Sequence, residues 1–79
     1  MRRNDLDICA DILNVANKGA KKTHIVYKAN LNFELVKGYL KRLMDSGFLV
    51  NYNDEGIYTT TQRGRNFLEQ YSSLMIPLD

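Results

Sequence analysis

The sequence predicts a small α+β domain, mainly helical, running helix-helix-helix-strand-strand-helix as one unit over residues 1–79. Apolar residues recur at helical spacing in separate stretches, each opening near an Asn or Thr suited to a helix start. Before the last of these lie two runs rich in apolar, aromatic and β-branched residues, "FLVNYN" and "GIYTT", on either side of "DEG". A chain of this length has a thin core, burying about 60–65% of the surface its unfolded form exposes.

The first helix opens at Asn4, and Asp5 and Asp7 complement the positive end of its dipole. Leu6, Cys9, Leu13 and Ala16 make an apolar stripe that Ile8, Ile12 and Val15 widen. Asn17, Lys18 and Gly19 supply its C-terminal stop. "AKKTHIVYKAN" reads as a shorter helix, with Thr23 near its start and Ile25, Val26 and Ala29 inward. Asn30 closes it in a left-handed conformation.

Asn32 then caps a third helix. Placed at helical steps, Phe33, Leu35, Val36, Tyr39, Leu40, Leu43 and Met44 fall on one half of the circumference. Glu34, Lys37, Gly38, Lys41, Arg42 and Asp45 fall on the other. Ser46-Gly47 stops this helix. The two strands form a hairpin around Asp54-Glu55-Gly56, which must pack on helices to be stable. Thr60 or Thr61 caps the last helix, expected over residues 61–76, and Pro77 ends it.

Composition narrows the chemistry. At 44% hydrophobic and 25% charged the chain is an ordinary globular protein, and its short apolar runs span no membrane. Cys9 is the lone cysteine, so no internal disulfide forms. Cys9 and His24 fall short of the four ligands of a structural zinc site, and neither a metal nor a cofactor is expected. "MRRNDLDI" lacks the apolar core of a signal peptide, and a lone thiol suits a reducing compartment, so a cytoplasmic location is expected. Charge is unevenly spread. Residues 18 to 42 carry seven basic side chains against Glu34 alone, a local +6 in a chain of net +2, leaving −4 on the rest. Such a block suggests one surface for a polyanion.

Three helices followed by a two-stranded wing is the winged helix-turn-helix order. "AKKTHIVYKANLNFELVKGYLKRLMDSGFL" and "YTTTQRGRNFLEQY" resemble the small archaeal winged-helix DNA-binding proteins, predicted to be transcriptional regulators or chromatin proteins. The resemblance runs from about Leu6 to Leu74. It implies a homodimer paired through the C-terminal helix, here a short one.

In a helix-turn-helix the second helix enters the major groove with its N-terminal residues near base edges. Helix 33–46 is then the reader, presenting Asn32, Lys37, Gly38, Lys41 and Arg42. Lys37 and Lys41, one turn apart, can reach guanine edges or phosphates. Gly38 weakens the helix by about 1 kcal/mol relative to alanine; it either lets a backbone come close or is simply tolerated. Glu34 favours the helix start more than a cytosine contact. Lys21, Lys22, Thr23 and Lys28 suit phosphate contacts, which fix register without reading sequence. The acidic wing tip argues against minor-groove insertion, although Asn51 and Asn53 can hydrogen-bond along its flank. Arg2, Arg3, Arg63 and Arg65 can add phosphate contacts from outside the motif.

Phe67, Tyr71, Leu74, Met75 and Leu78 form an apolar strip on the last helix, expected to pack internally at first and to make the dimer later. The five tyrosines read as core and interface residues, His24 as a surface or phosphate-side residue and Cys9 as a small apolar filler. No nucleophile sits beside a base and an orienting group, so no enzyme is expected. Two functions remain foremost: a homodimeric DNA-binding transcriptional regulator or architectural protein, and a winged-helix module that docks on protein within a larger assembly; RNA binding is a lesser third.

Overall fold

The computed structural model describes residues 4–51 and 56–74. The elements in order are α1 (Asp5–Val15), a 3-10 turn (Ala16–Lys18), β1 (Ala20–Lys21), α2 (Lys22–Ala29), α3 (Phe33–Asp45), β2 (Leu49–Asn51), β3 (Ile57–Thr60) and α4 (Gln62–Leu74).

The helix starts follow local chemistry. Asn4 Oδ1 accepts the Asp7 N–H at 2.8 Å while the Asp7 carboxylate accepts the Asn4 N–H, a reciprocal cap on α1. Asn32 Oδ1 accepts the Leu35 N–H at 2.8 Å and starts α3. Thr61 Oγ1 accepts the Gly64 N–H at 3.1 Å and donates to Gly47 O at 2.7 Å, so one hydroxyl caps α4 and ties it to the end of α3. Thr60 has the other role: it is buried, and its hydroxyl donates to Leu13 O at 2.7 Å. Asn30 adopts φ 56° and ψ 50°, the left-handed stop expected of it.

Two expectations are corrected and a third, the stop at residues 17–19, is met in place but in another form. The sheet has three strands, not two: β1 pairs antiparallel with β3 (Ala20 opposite Tyr58, Lys21 opposite Ile57), giving the order β1-β3-β2. α2 therefore begins at Lys22, with Lys21 at the cap position and no side-chain cap bond, so Thr23 lies inside the first turn. The expected stop of α1 at residues 17–19 is a 3-10 turn, closed by Gly19 at φ 91°.

The core joins Ile12, Leu13, Ile25, Val36, Leu40, Leu43 and Leu49, with Ala16, Ala20 and Ala29 where backbones come close. Each fully buried Ile or Leu contributes about 1.5–3 kcal/mol. Phe48, Phe67 and Tyr71 stack in succession, with centroids 5.3 and 6.3 Å apart, and seat α4 on the start of β2. The apolar half of α3 is wider than the arc it buries: Phe33 and Leu35 are 51% and 50% exposed. Leu6 and Tyr27, expected inside, are also exposed.

Candidate nucleic-acid interface

The β1–α2 junction and the exposed side of α3 form the basic surface. Lys21 is exposed on an edge strand and Lys22 follows as the first residue of α2, so strand pairing with β3 fixes where both begin. Lys22 is half-buried, and its ammonium lies 5.9 Å from the centroid of the ring of Phe33, the first residue of α3. That contact joins the start of α2 to the start of α3. From Phe33 a row runs along α3 at one-turn spacing through Lys37 to Lys41, both exposed. Lys22, Phe33, Lys37 and Lys41 are thus one continuous line.

Thr23 and Lys28 are exposed on α2, at its first and last turns. Asn32 is exposed, with its side-chain carbonyl oxygen used in the cap. Gly38 faces open space: a Cβ there meets no heavy atom within 4 Å. Among the described residues nothing requires glycine at that position. Lys41 pairs with Asp45 at 3.5 Å, with the two side chains 77% and 70% exposed. An ion pair so solvated is worth about 0.3–0.5 kcal/mol and yields readily to a stronger anion.

Arg42 is engaged differently from the lysines. Its guanidinium lies 3.9 Å from the Asp5 carboxylate and stacks over the Tyr39 ring at 5.5 Å, turned toward the start of α1. Arg65 donates to Thr60 O at 3.1 Å and to Gln62 Oε1 at 3.0 Å, and Arg63 lies over the Phe48 ring. Both arginines are thus used at the α4 start. Burial raises the Cys9 thiol pKa; the nearby Arg42 charge opposes this and Asp5 reinforces it. A protonated, half-buried thiol suits the filler role read from sequence.

On α4, Phe67 and Tyr71 are half-buried within the chain, and the Tyr71 hydroxyl donates to the Asp7 carboxylate of α1. Leu74 is the last residue of α4. Met75, Leu78 and Pro77 lie outside the described residues, as do Arg2, Arg3, Tyr52, Asn53, Asp54 and Glu55. Among the described residues no cluster of His, Cys, Asp or Glu is arranged to hold a metal, and no helix is long and apolar enough to cross a membrane.

Phe33 is the site residue that sequence reasoning missed. Its position at the edge of the apolar arc was the available signal: a first-turn residue there has no preceding turn to cover it.

A family model described as winged helix-turn-helix matches residues 2–76. An uncharacterized protein of Methanocaldococcus jannaschii is 37% identical over 71 residues, a match taking in 89% of this chain. The chain spans 33% of the length of that relative. The crystal structure of Sso10a-2, a DNA-binding protein from Sulfolobus solfataricus, matches with a TM-score of 0.83 and 27% identity. That match covers 92% of this chain and 79% of the other.

Proposed function

The chain belongs to the winged helix-turn-helix family, and from that premise we propose that it binds double-stranded DNA with α3 in the major groove, as a homodimer that regulates transcription. The observation that carries the reading is the line of Lys22, Phe33, Lys37 and Lys41 across the two helices of the motif. The description of the Sulfolobus structure as a DNA-binding protein supports it. Lys21, Lys22, Thr23 and Lys28 hold phosphates; Asn32, Lys37 and Lys41 approach base edges, and Gly38 lets the helix backbone come close. Arg42, tied to Asp5, strengthens the local field without itself entering the groove.

Dimerisation is assigned to the end of α4, around Leu74, with Met75 and Leu78 beyond it. Phe67 and Tyr71 spend their inner sides on Phe48 and Asp7 and offer only outer edges. Two reading helices then address half-sites about 34 Å apart on one duplex face. This reading locates the protein in the cytoplasm, at the nucleoid.

Selection from random duplex pools at graded salt tests it. Recovery of a motif supports a specific regulator; uniform salt-sensitive binding supports a packaging role. The exposed Leu6, Leu35 and Tyr27 favour a second reading, docking on a protein partner. Absence of duplex binding at low salt selects that alternative.

A further inference from the structure

We propose that Phe33 reads thymine methyl groups in the major groove and so biases the protein toward A·T-containing sites; the inference rests on the DNA-binding reading above. Phe33 is the first residue of α3, in the part of a reading helix that meets base edges. The residue is 51% exposed, an unfavourable state for so large an apolar side chain unless something covers it.

The surroundings of the ring indicate what covers it. The Lys22 ammonium lies 5.9 Å from its centroid, and Lys37 follows one turn along the same row. An apolar protein partner would have to bury these cations beside it, at a heavy desolvation cost. A duplex needs no such burial, because its phosphates take the lysines while its groove floor takes the ring. Within the major groove the apolar feature that a base pair offers is the C5-methyl of thymine. Leu35 is about as exposed, but it lies on the far flank of α3 with Arg42, which turns toward Asp5. Position on the cationic flank therefore singles out Phe33.

The test compares a duplex of alternating dA and dT with the same duplex carrying deoxyuridine for thymidine, which removes the methyl group and keeps every phosphate. Wild type should bind the thymine duplex about fourfold more tightly per methyl contact, the worth of one buried methyl-sized group. Phe33→Ala should bind both duplexes equally, and Phe33→Leu should keep part of the preference; thermal melting of each variant checks that the fold is intact. Equal wild-type affinity for the two duplexes overturns the inference while leaving DNA binding in place. An unchanged preference in Phe33→Ala overturns the assignment to this residue. No binding to either duplex removes the DNA-binding reading and this inference with it.

Discussion

The Tyr39 hydroxyl donates to the Asp5 carboxylate at 2.7 Å, fixing the middle of α3 to the first turn of α1. Tyr71 of α4 makes the corresponding bond to Asp7, two residues on. One acidic helix start thus holds both α3 and α4. The acids read from sequence as complements to the α1 dipole also carry tertiary contacts.

These bonds predict an alkaline loss of stability. The hydrogen bond to Asp5 is the largest cause raising the Tyr39 pKa, with burial and the Asp5 charge adding to it; Asp7 does the same for Tyr71. The unfolded chain therefore releases these phenolic protons first. Their stabilisation is complete below about pH 10 and is lost as pH rises through the higher folded values. Urea denaturation across that range should show a shallower decline in the Tyr39→Phe, Tyr71→Phe variant. Near neutrality Tyr39→Phe alone should cost about 0.5–1 kcal/mol, since its bond is exposed.

Gly64 should tolerate no side chain. A Cβ there would stand 2.3 Å from Phe48 O and 2.6 Å from Thr60 Cγ2, inside the seat of α4 on β2. Gly64→Ala should destabilise by about 2–3 kcal/mol or more, read as a lower denaturation midpoint.

Gly38→Ala should act in the opposite sense on the fold. The new methyl meets open space, so stability should rise by about 1 kcal/mol in the same assay. Duplex affinity should fall, because the methyl holds the helix off the groove. A rise in both would mean that the backbone makes no close approach.

The lysines should separate by role. With about four to six phosphates engaged per dimer, log K should fall against log[salt] with a slope near −4 to −5. Lys21→Ala with Lys22→Ala should make that slope shallower and weaken every sequence alike, whereas Lys37→Ala or Lys41→Ala should shift the selected motif. Asp45→Ala should tighten binding at low salt, since it frees Lys41 and removes an anion beside it. These are titrations by fluorescence anisotropy.

Leu74→Asp should shift the sedimenting species from dimer to monomer. Tyr71 is the poorer target, because a second acid near Asp7 would disturb the monomer itself. An unchanged dimer mass would move the interface away from the end of α4.

Legibility followed the range of the forces involved. The caps at Asn4 and Asn32, the left-handed Asn30 and the buried row Val36, Leu40 and Leu43 were readable because each depends on neighbours within a turn or two. β1 was not readable, since two residues have no periodicity and pair only because β3 reaches them. The exposure of Phe33 and the turning of Arg42 toward Asp5 depend likewise on contacts between elements distant in sequence.

By itself, then, the sequence determined the order of elements, their local boundaries and the concentration of cations around the helix-turn-helix, all consequences of short-range backbone and side-chain chemistry. Tertiary structure decided which cations stand free, which are tied to α1 and α4, and which ring of the apolar stripe is left uncovered. A helical wheel gives direction around an axis, but only packing sets the width of the arc that a neighbour covers.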